Sequence, residues 1–538
     1  MPRMKNQNSD NSGWLYYLPT LVLATLALFL RADSLHHFSA RSLWAEDGPI
    51  FLHDAGEHGI TSLFTPYAGY YHLYPRIVAL ISSLSPITNR PDIMLGGWFL
   101  AFYFNCVCAA RFLKSINATI IHSAATVFLI SMQPNNGEVF FTVTNAQWHL
   151  GTALAFIAFS PVKYSSKLQT ALIAGVSLLI GLTGPFSVVI ATAIMAMALV
   201  TPNTDWKKSR LIHLSIVTAA IIQIYCLTHE PRLSKISPSS EISAWITGFW
   251  RYTSLGTNTK IGYILSMILL CNSVFMFFKI HQCKNVRFAV LGILLTAIGL
   301  SSASMLSFPD PTIATPLGEG GRYTWIPYSL LIAASSSLAI RSVRWHATAL
   351  ALTVLILWIP NFSKAHREDL NFKSFSKLAT ITEVIIPINP VWPAYPGWSI
   401  KMSPDSSTTV PSHQSINATQ QSLQGTNGAT TAAAIDQKHI DKKAAEAGLP
   451  TGISCSGATD IGVEIYMTRS DEGQVTLFWS DNNTFDDKYS FQRWYPRGSI
   501  KAQFAFPSFP GTIFLRIDPH QSGAEHADIK EIRIYCLN

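Results

Sequence analysis

Between Trp14 and about Pro360 the chain repeats apolar runs of roughly 15 to 22 residues broken by short polar stretches, the length that a ~30 Å hydrocarbon core requires. The runs predict about eleven membrane helices: residues 14–31, 91–111, 119–133, 147–161, 168–183, 186–201, 210–227, 260–280, 288–306, 323–340 and 345–360. Beyond residue 450 the period changes to two. VEIYMT, VTLFWS, IKAQFAF, TIFLRI and IKEIRIY alternate apolar and polar positions between Asp, Asn, Gly and Pro turns, which predicts a small all-β sandwich. The expected fold is therefore a polytopic α-helical membrane protein with a C-terminal β-sandwich. Residues 1–400 form the membrane domain, 401–450 a Ser/Thr/Gln/Ala-rich linker that has too little apolar surface for a core, and 451–538 the sandwich.

Charge sets the orientation. Arg3 and Lys5, Arg111 and Lys114, Lys163 and Lys167, Lys207, Lys208 and Arg210, Lys279, Lys284 and Arg287, and Arg341 and Arg344 all fall on one side if the spans alternate. The short loops opposite them, 134–146 and 307–321, contain no Lys or Arg. The positive-inside rule then places the N-terminus in the cytoplasm and everything after Pro360 outside. Loop 228–259, with Arg232, Lys235 and Arg251, is the exception to the pattern. Residues 72–86 are too short to cross, and counting them as a span would invert every later loop, so they predict an amphipathic helix in the outer interface. The first external segment, 32–90, is then too long for an ordinary connector, which points to function.

Composition agrees: of 538 residues 49% are hydrophobic and 13% charged. The net charge of +8 lies in the loops between apolar runs, so it reports topology and gives no footprint for nucleic acid. Cys455 and Cys536 bracket the sandwich and predict a disulfide formed in an oxidising compartment, while the other cysteines show no metal-ligand spacing.

The interiors of the spans hold almost no ionisable groups. His122, His149 and His213 lie near run ends, which argues against a proton-coupled transporter. Candidate chemistry gathers outside. In SLWAEDGPIFLHDAGEHGITSLFTPYAGYYHLYPR the adjacent acids Glu46 and Asp47 stand beside Trp44 and Gly48, with His72 and Arg76 following. Two neighbouring carboxylates can take a proton from a hydroxyl or offer oxygens to Mg²⁺ or Mn²⁺, and as an isolated pair they also suit a solvated helix cap. QPNNGEVFFTVTNAQWHL brings Glu138, Asn145, Gln147 and Trp148, amides and an indole of the kind that hold sugars, or an ordinary loop with an interfacial Trp. Arg322 in GEGGRY offers a fork of donors to a phosphate diester, or snorkels at a helix end. Trp392, Tyr395 and Trp398 read as an aromatic belt or a lipid groove, and Trp479, Trp494 and Tyr495 as core, edge or sugar-stacking aromatics.

A cytoplasmic N-terminus, a long first external loop with an acidic motif and an interfacial helix before the second span together resemble the GT-C superfamily of membrane glycosyltransferases. Through WAEDGPIF and YAGYYHLYPR the chain looks most similar to bacterial serotype-type glucosyltransferases, over roughly residues 14–360. The resemblance implies an inverting transfer of a sugar, for instance glucose, from a polyprenyl-phosphate donor to a lipid-linked or surface glycan at the periplasmic face of the bacterial inner membrane. Asp47 would be the base, Glu46 its support or a cation ligand, and Arg322, Arg76 and His72 the groups at the donor phosphate. Glu138, Asn145, Gln147 and Trp148 would meet the sugar or acceptor. The sandwich resembles small β-domains appended to such enzymes, and carbohydrate binding there is an analogy of fold alone. Rival readings are an O-antigen polymerase or ligase, which needs external Arg and His but no acid pair, and a lipid-linked-glycan flippase or transporter, which needs a polar path through the midplane.

Overall fold

The structure is a computed structural model. It describes residues 13–33, 38, 42–161, 166–200, 209–230, 241–253, 264, 271, 284–308, 316–318, 320–339, 362–391, 397–404, 453–455, 457–482, 484–509, 512–518 and 527–538. The predicted spans 260–280 (apart from 264 and 271) and 345–360, nearly all of the predicted linker, Trp392 and Tyr395 lie outside the described residues. About 58% of the chain is helical, and a β region closes it. Two compact units divide it: Met1–Ser39, His58–Ile81 and Ile93–His366 form the first, and Ala40–Glu57, Ser82–Asp92 and Arg367–Asn538 the second.

The first unit is a set of packed helices, and each predicted span that the described residues cover carries one. Among those residues three helices, Ile87–Ser115, Arg210–His229 and Val286–Met305, are long and apolar enough to cross a membrane. Leu18–Arg31, Ile120–Ser131, Lys167–Gly181 and Phe186–Leu199 are apolar and shorter. Their starts follow local chemistry: Thr119 and Ser166 cap the helices after them by accepting from the backbone N–H groups of His122 and Gln169. Small residues bring the helices close. A Cβ on Gly292 would stand 2.1 Å from the Phe159 ring, and one on Gly181 2.6 Å from the Ala219 methyl. Leu18, Val22, Phe29, Ile121, Leu172, Leu199, Leu214 and Ile221 face outward although apolar, as a lipid-facing surface requires. The segment predicted to lie in the interface forms the 11-residue helix Leu73–Ser83, too short to cross.

In the second unit the sandwich has a four-stranded sheet ordered β3-β8-β5-β6 and a three-stranded sheet ordered β7-β4-β9. The strands are β3 (Ile453–Ser454), β4 (Asp460–Arg469), β5 (Gly473–Ser480), β6 (Ser490–Tyr495), β7 (Gly498–Pro507), β8 (Thr512–Asp518) and β9 (Ala527–Leu537). Alternation places Ile461, Val463 and Ile465 of β4, Val475, Leu477 and Trp479 of β5, and Phe504 and Phe506 of β7 in the common core. Trp479 stacks on Phe506 at 4.3 Å and Tyr495 is 2% exposed, so both are core residues and of the three sandwich aromatics only Trp494 reaches the surface.

Cys455, next to β3, is bonded to Cys536 in β9, so the bridge ties one sheet to the other with Cα atoms 5.5 Å apart. Its removal frees a loop with a sequence separation of 81 in the unfolded chain. Replacing both cysteines with serine is therefore expected to lower stability by roughly 4 kcal/mol. Non-reducing peptide mapping should recover the Cys455–Cys536 pair, and two freely alkylated thiols would refute it.

The compact unit that holds the sandwich includes residues before 451. The helix Phe372–Leu378 and the hairpin of β1 (Val384–Pro387) and β2 (Ser399–Met402) cover the outward face of the three-stranded sheet. Gly462 admits Leu378 there, because a Cβ would stand 2.7 Å from that side chain. Lys377 donates to Asp460 at 2.7 Å, Gln503 donates to the Glu383 carbonyl at 2.8 Å, and Arg493 donates to the Ile385 carbonyl at 2.9 Å. Residues placed by sequence in the membrane domain thus pack with the sandwich as one unit.

Candidate functional site

The acid pair belongs to the second unit. Asn389 holds its segment from two directions. On the main chain, Ala45 N–H donates to the Asn389 carbonyl and Asn389 N–H donates to the Leu43 carbonyl, forming a short parallel bridge at Trp44. From the side chain, the Asn389 amide donates to the Glu368 carbonyl at 2.9 Å and accepts from Glu368 N–H at 3.1 Å. One buried asparagine therefore fixes both residues 43–45 and the backbone beside Arg367.

The geometry at the acids is irregular. Ala45 has φ +39°, which a residue with a Cβ rarely adopts, and Ala45–Asp47 is a tight 3₁₀ turn followed by a π-helical turn over Gly48–Leu52. A Cβ on Gly48 would lie 2.8 Å from Ile388, so the absence of a side chain lets this turn approach the β1 end closely. Asp47 is 3% exposed while Glu46 is half-buried. The Arg367 guanidinium lies 4.5 Å from the Trp44 ring centroid. Burial pushes Arg367 down to about 10, and the Asp47 carboxylate opposes that shift, so the two charges act on each other in a site largely closed to water. Sequence reasoning missed Arg367 and Asn389. HRED at 366–369 is a visible charge cluster, but no spacing relates it to residue 47.

The cations assigned to the donor phosphate belong to the first unit. Tyr67 and Tyr70 exchange backbone hydrogen bonds across Ala68 and Gly69, whose φ values of +53° and +88° make the turn that a tight hairpin requires. Both rings lie against His72, at 5.7 and 4.4 Å. His72 bridges to Thr183, and Gln223 secures the neighbouring chain by accepting from Tyr71 N–H and donating to the Tyr71 and Gly184 carbonyls. Burial, and then the nearby Arg76, push the His72 imidazole down to about 3. Burial thus disfavours the charged form of His72, and the neighbouring Arg76 is buried as well.

Arg322 opens the helix Gly321–Ala339 and pairs with Glu138, two residues assigned separately to phosphate and sugar. Asn135 donates to the Gly321 carbonyl and Asn136 to the Gly318 carbonyl, which holds the two loops together. Gly137 is confined to glycine by φ +86° and by Ala365, whose Cα would lie 2.7 Å from a Cβ. Asn145 and Trp148 are committed to the loop itself. Asn145 donates to the Glu138 carbonyl and accepts from the Trp148 indole at 3.2 Å, and Trp148 packs between Phe186 and Tyr323. Trp148, 6% exposed, is thus not an open face for a sugar ring. Gln147 differs: it is 5% exposed, and its carbonyl oxygen has no hydrogen-bond partner.

Among the described residues no group of three or more His, Cys, Asp or Glu side chains gathers where it could hold a metal ion. At the acid pair a divalent cation would have to share the Asp47 carboxylate with Arg367, which already supplies counter-charge. Protein-family models, curated proteins and solved structures offer no match to the chain.

Proposed function

We propose that the chain is a bacterial inner-membrane glycosyltransferase that moves a sugar from a polyprenyl-phosphate donor to a glycan acceptor at the periplasmic face. In this reading some eleven spans run from a cytoplasmic N-terminus to a periplasmic C-terminal unit. The observation that carries it is Asp47: a buried carboxylate that acts electrostatically on the half-buried Arg367, on a strained turn that follows an apolar helix. Strain and buried charge of this kind cost stability, and they collect where chemistry uses them.

The Asp47 carboxylate accepts the proton of the acceptor hydroxyl. The oxygen attacks the anomeric carbon as the bond from that carbon to the phosphate oxygen breaks, and the electron pair leaves with the polyprenyl phosphate. Positive charge at the phosphate offsets what develops there, the part that the resemblance gives to Arg76, Arg322 and His72. The bare carbonyl oxygen of Gln147 suits a sugar hydroxyl, since an unmet buried acceptor is costly until a ligand satisfies it.

Deleting the gene and analysing the surface glycan tests the reading against its rivals. A transferase leaves chain-length distribution intact and removes one sugar and its linkage. Collapse of chain length would instead identify a polymerase, loss of glycan from the lipid core a ligase, and accumulation of lipid-linked glycan inside the cell a flippase.

A further inference from the structure

The loop between residues 228 and 259 contains a helix that the apolar pattern does not announce. Ile242–Thr253 has 12 residues, which at 1.5 Å per residue gives about 18 Å, well short of the hydrocarbon core. Ile242, Ile246 and Phe249 recur at i, i+4 and i+7 and so form one stripe, with Trp245 on its flank. All three of the stripe are open, at 76%, 65% and 41% exposure. Ser243 and Thr247 are also exposed but stand on another arc of the wheel, and the buried Gly248 marks the flank turned inward. The helix is held by packing against Lys284–Met305, within the same unit, so the open stripe is not the face that docks it.

An amphipathic helix too short to span, with a bulky apolar stripe and an opposite arc formed by positions Ser243, Thr247 and Arg251, is suited to lie in a membrane interface. We infer that Ile242–Thr253 lies flat at the bilayer surface and sinks Ile242, Ile246 and Phe249 into the acyl boundary, giving the protein a second interfacial helix besides Leu73–Ser83. The occupant is lipid and not another protein because the same unit carries an apolar outward surface on its crossing helices: Ile221, in the middle of Arg210–His229, is 62% exposed. The stripe continues that type of surface. The inference rests on the membrane reading of the chain, and the experiment separates the two.

Full-length protein in nanodiscs, with Cys271 and other reactive thiols replaced by serine, would carry an environment-sensitive fluorophore at one of Ile242→Cys, Ile246→Cys, Phe249→Cys, Ser243→Cys or Thr247→Cys, with Ile221→Cys, near the middle of Arg210–His229, as the bilayer reference. Lipids spin-labelled near the headgroup should quench the three stripe positions several-fold more than Ser243 and Thr247, while lipids labelled deep in the chain should quench Ile221. Quenching at Ile221 with a water-like, unquenched stripe would overturn the interfacial helix and leave the membrane reading standing. A blue-shifted stripe that lipid does not quench would show a protein cover and overturn it too. An unquenched Ile221 would instead remove the membrane reading itself. Ile246→Glu, read from the probe at residue 249, should return that position to water with the melting temperature of the protein unchanged, and a probe still quenched by lipid in that variant would count against insertion.

Discussion

Asp47→Asn is expected to lower sugar transfer by ~10²- to 10⁴-fold with donor binding nearly unchanged, because the amide keeps the shape of the carboxylate and removes the proton acceptor. The neighbouring residues sharpen the test. Arg367→Ala leaves the Asp47 carboxylate buried without the guanidinium beside it, so turnover should fall as well, and Arg367→Lys should restore only part of it, since a lysine lacks the planar fork that lies over Trp44. Arg322→Ala should behave differently. Its side chain is 36% exposed and pairs with Glu138, so removing it should weaken donor binding more than it slows chemistry. Transfer kinetics on purified protein, with donor affinity measured separately, tell these patterns apart. Full activity in Asp47→Asn, with normal insertion, would remove the base from the scheme and favour a polymerase or ligase built on external arginine.

The helices were legible in the sequence because backbone polar groups in hydrocarbon must be satisfied within the segment, which forces long apolar runs. Five strands were legible because each turns apolar side chains to the common core and mostly polar ones to its other face, so their sequences alternate. β6 was not, since SFQRWY places Arg493 at an inward position, where its guanidinium reaches the Ile385 carbonyl, and so breaks the pattern. The helix Ile242–Thr253 escaped because its apolar residues are spaced around a wheel and make no continuous run. The acid pair was visible as two carboxylates in a long loop, but its setting was not: Arg367 and Asn389 come from the far end of the chain, and only folding brings them to Trp44 and Ala45. For His72 the residue type suggested a cation, and the burial that disfavours its charged form could not be read from the sequence.

Glu464→Ala is expected to destabilise the second unit by about 3 kcal/mol, the usual effect of breaking a buried ion pair from one side. The Glu464 side chain is fully buried in the outward face of the three-stranded sheet, where Lys501 approaches to 2.7 Å and Gln503 and Tyr535 donate to it at 2.8 and 2.9 Å. Without the carboxylate these donors, and the Tyr466 and Thr382 hydroxyls that also donate to it, lose their acceptor beneath the helix Phe372–Leu378 and the β1–β2 hairpin. Glu464→Gln, which keeps one acceptor, should cost less. Hydrogen exchange on the full-length protein reads this locally: protection in β4 and β7 should fall by ~10²-fold in Glu464→Ala, with the apolar helices of the first unit unaffected. The same carboxylates predict an acid limit. Burial alone would push Glu464 and Asp460 up, but hydrogen bonds from Lys501, Gln503 and Tyr535 in one case, and from Lys377, Ser374 and Thr459 in the other, outweigh it and hold both below their ordinary values of 4.5 and 3.8. A carboxyl depressed in the folded state lends stability that is fully present above its unfolded value and is lost as the pH falls through the folded one. Protection in β4 and β7 should accordingly stay level from pH 7 to about 5 and drop below about 4, and the drop should shrink in Glu464→Gln because that variant has one fewer proton to take up. Loss already under way at pH 6 would point to histidine instead, and a level profile down to pH 3 would show that the buried network does not hold this unit together.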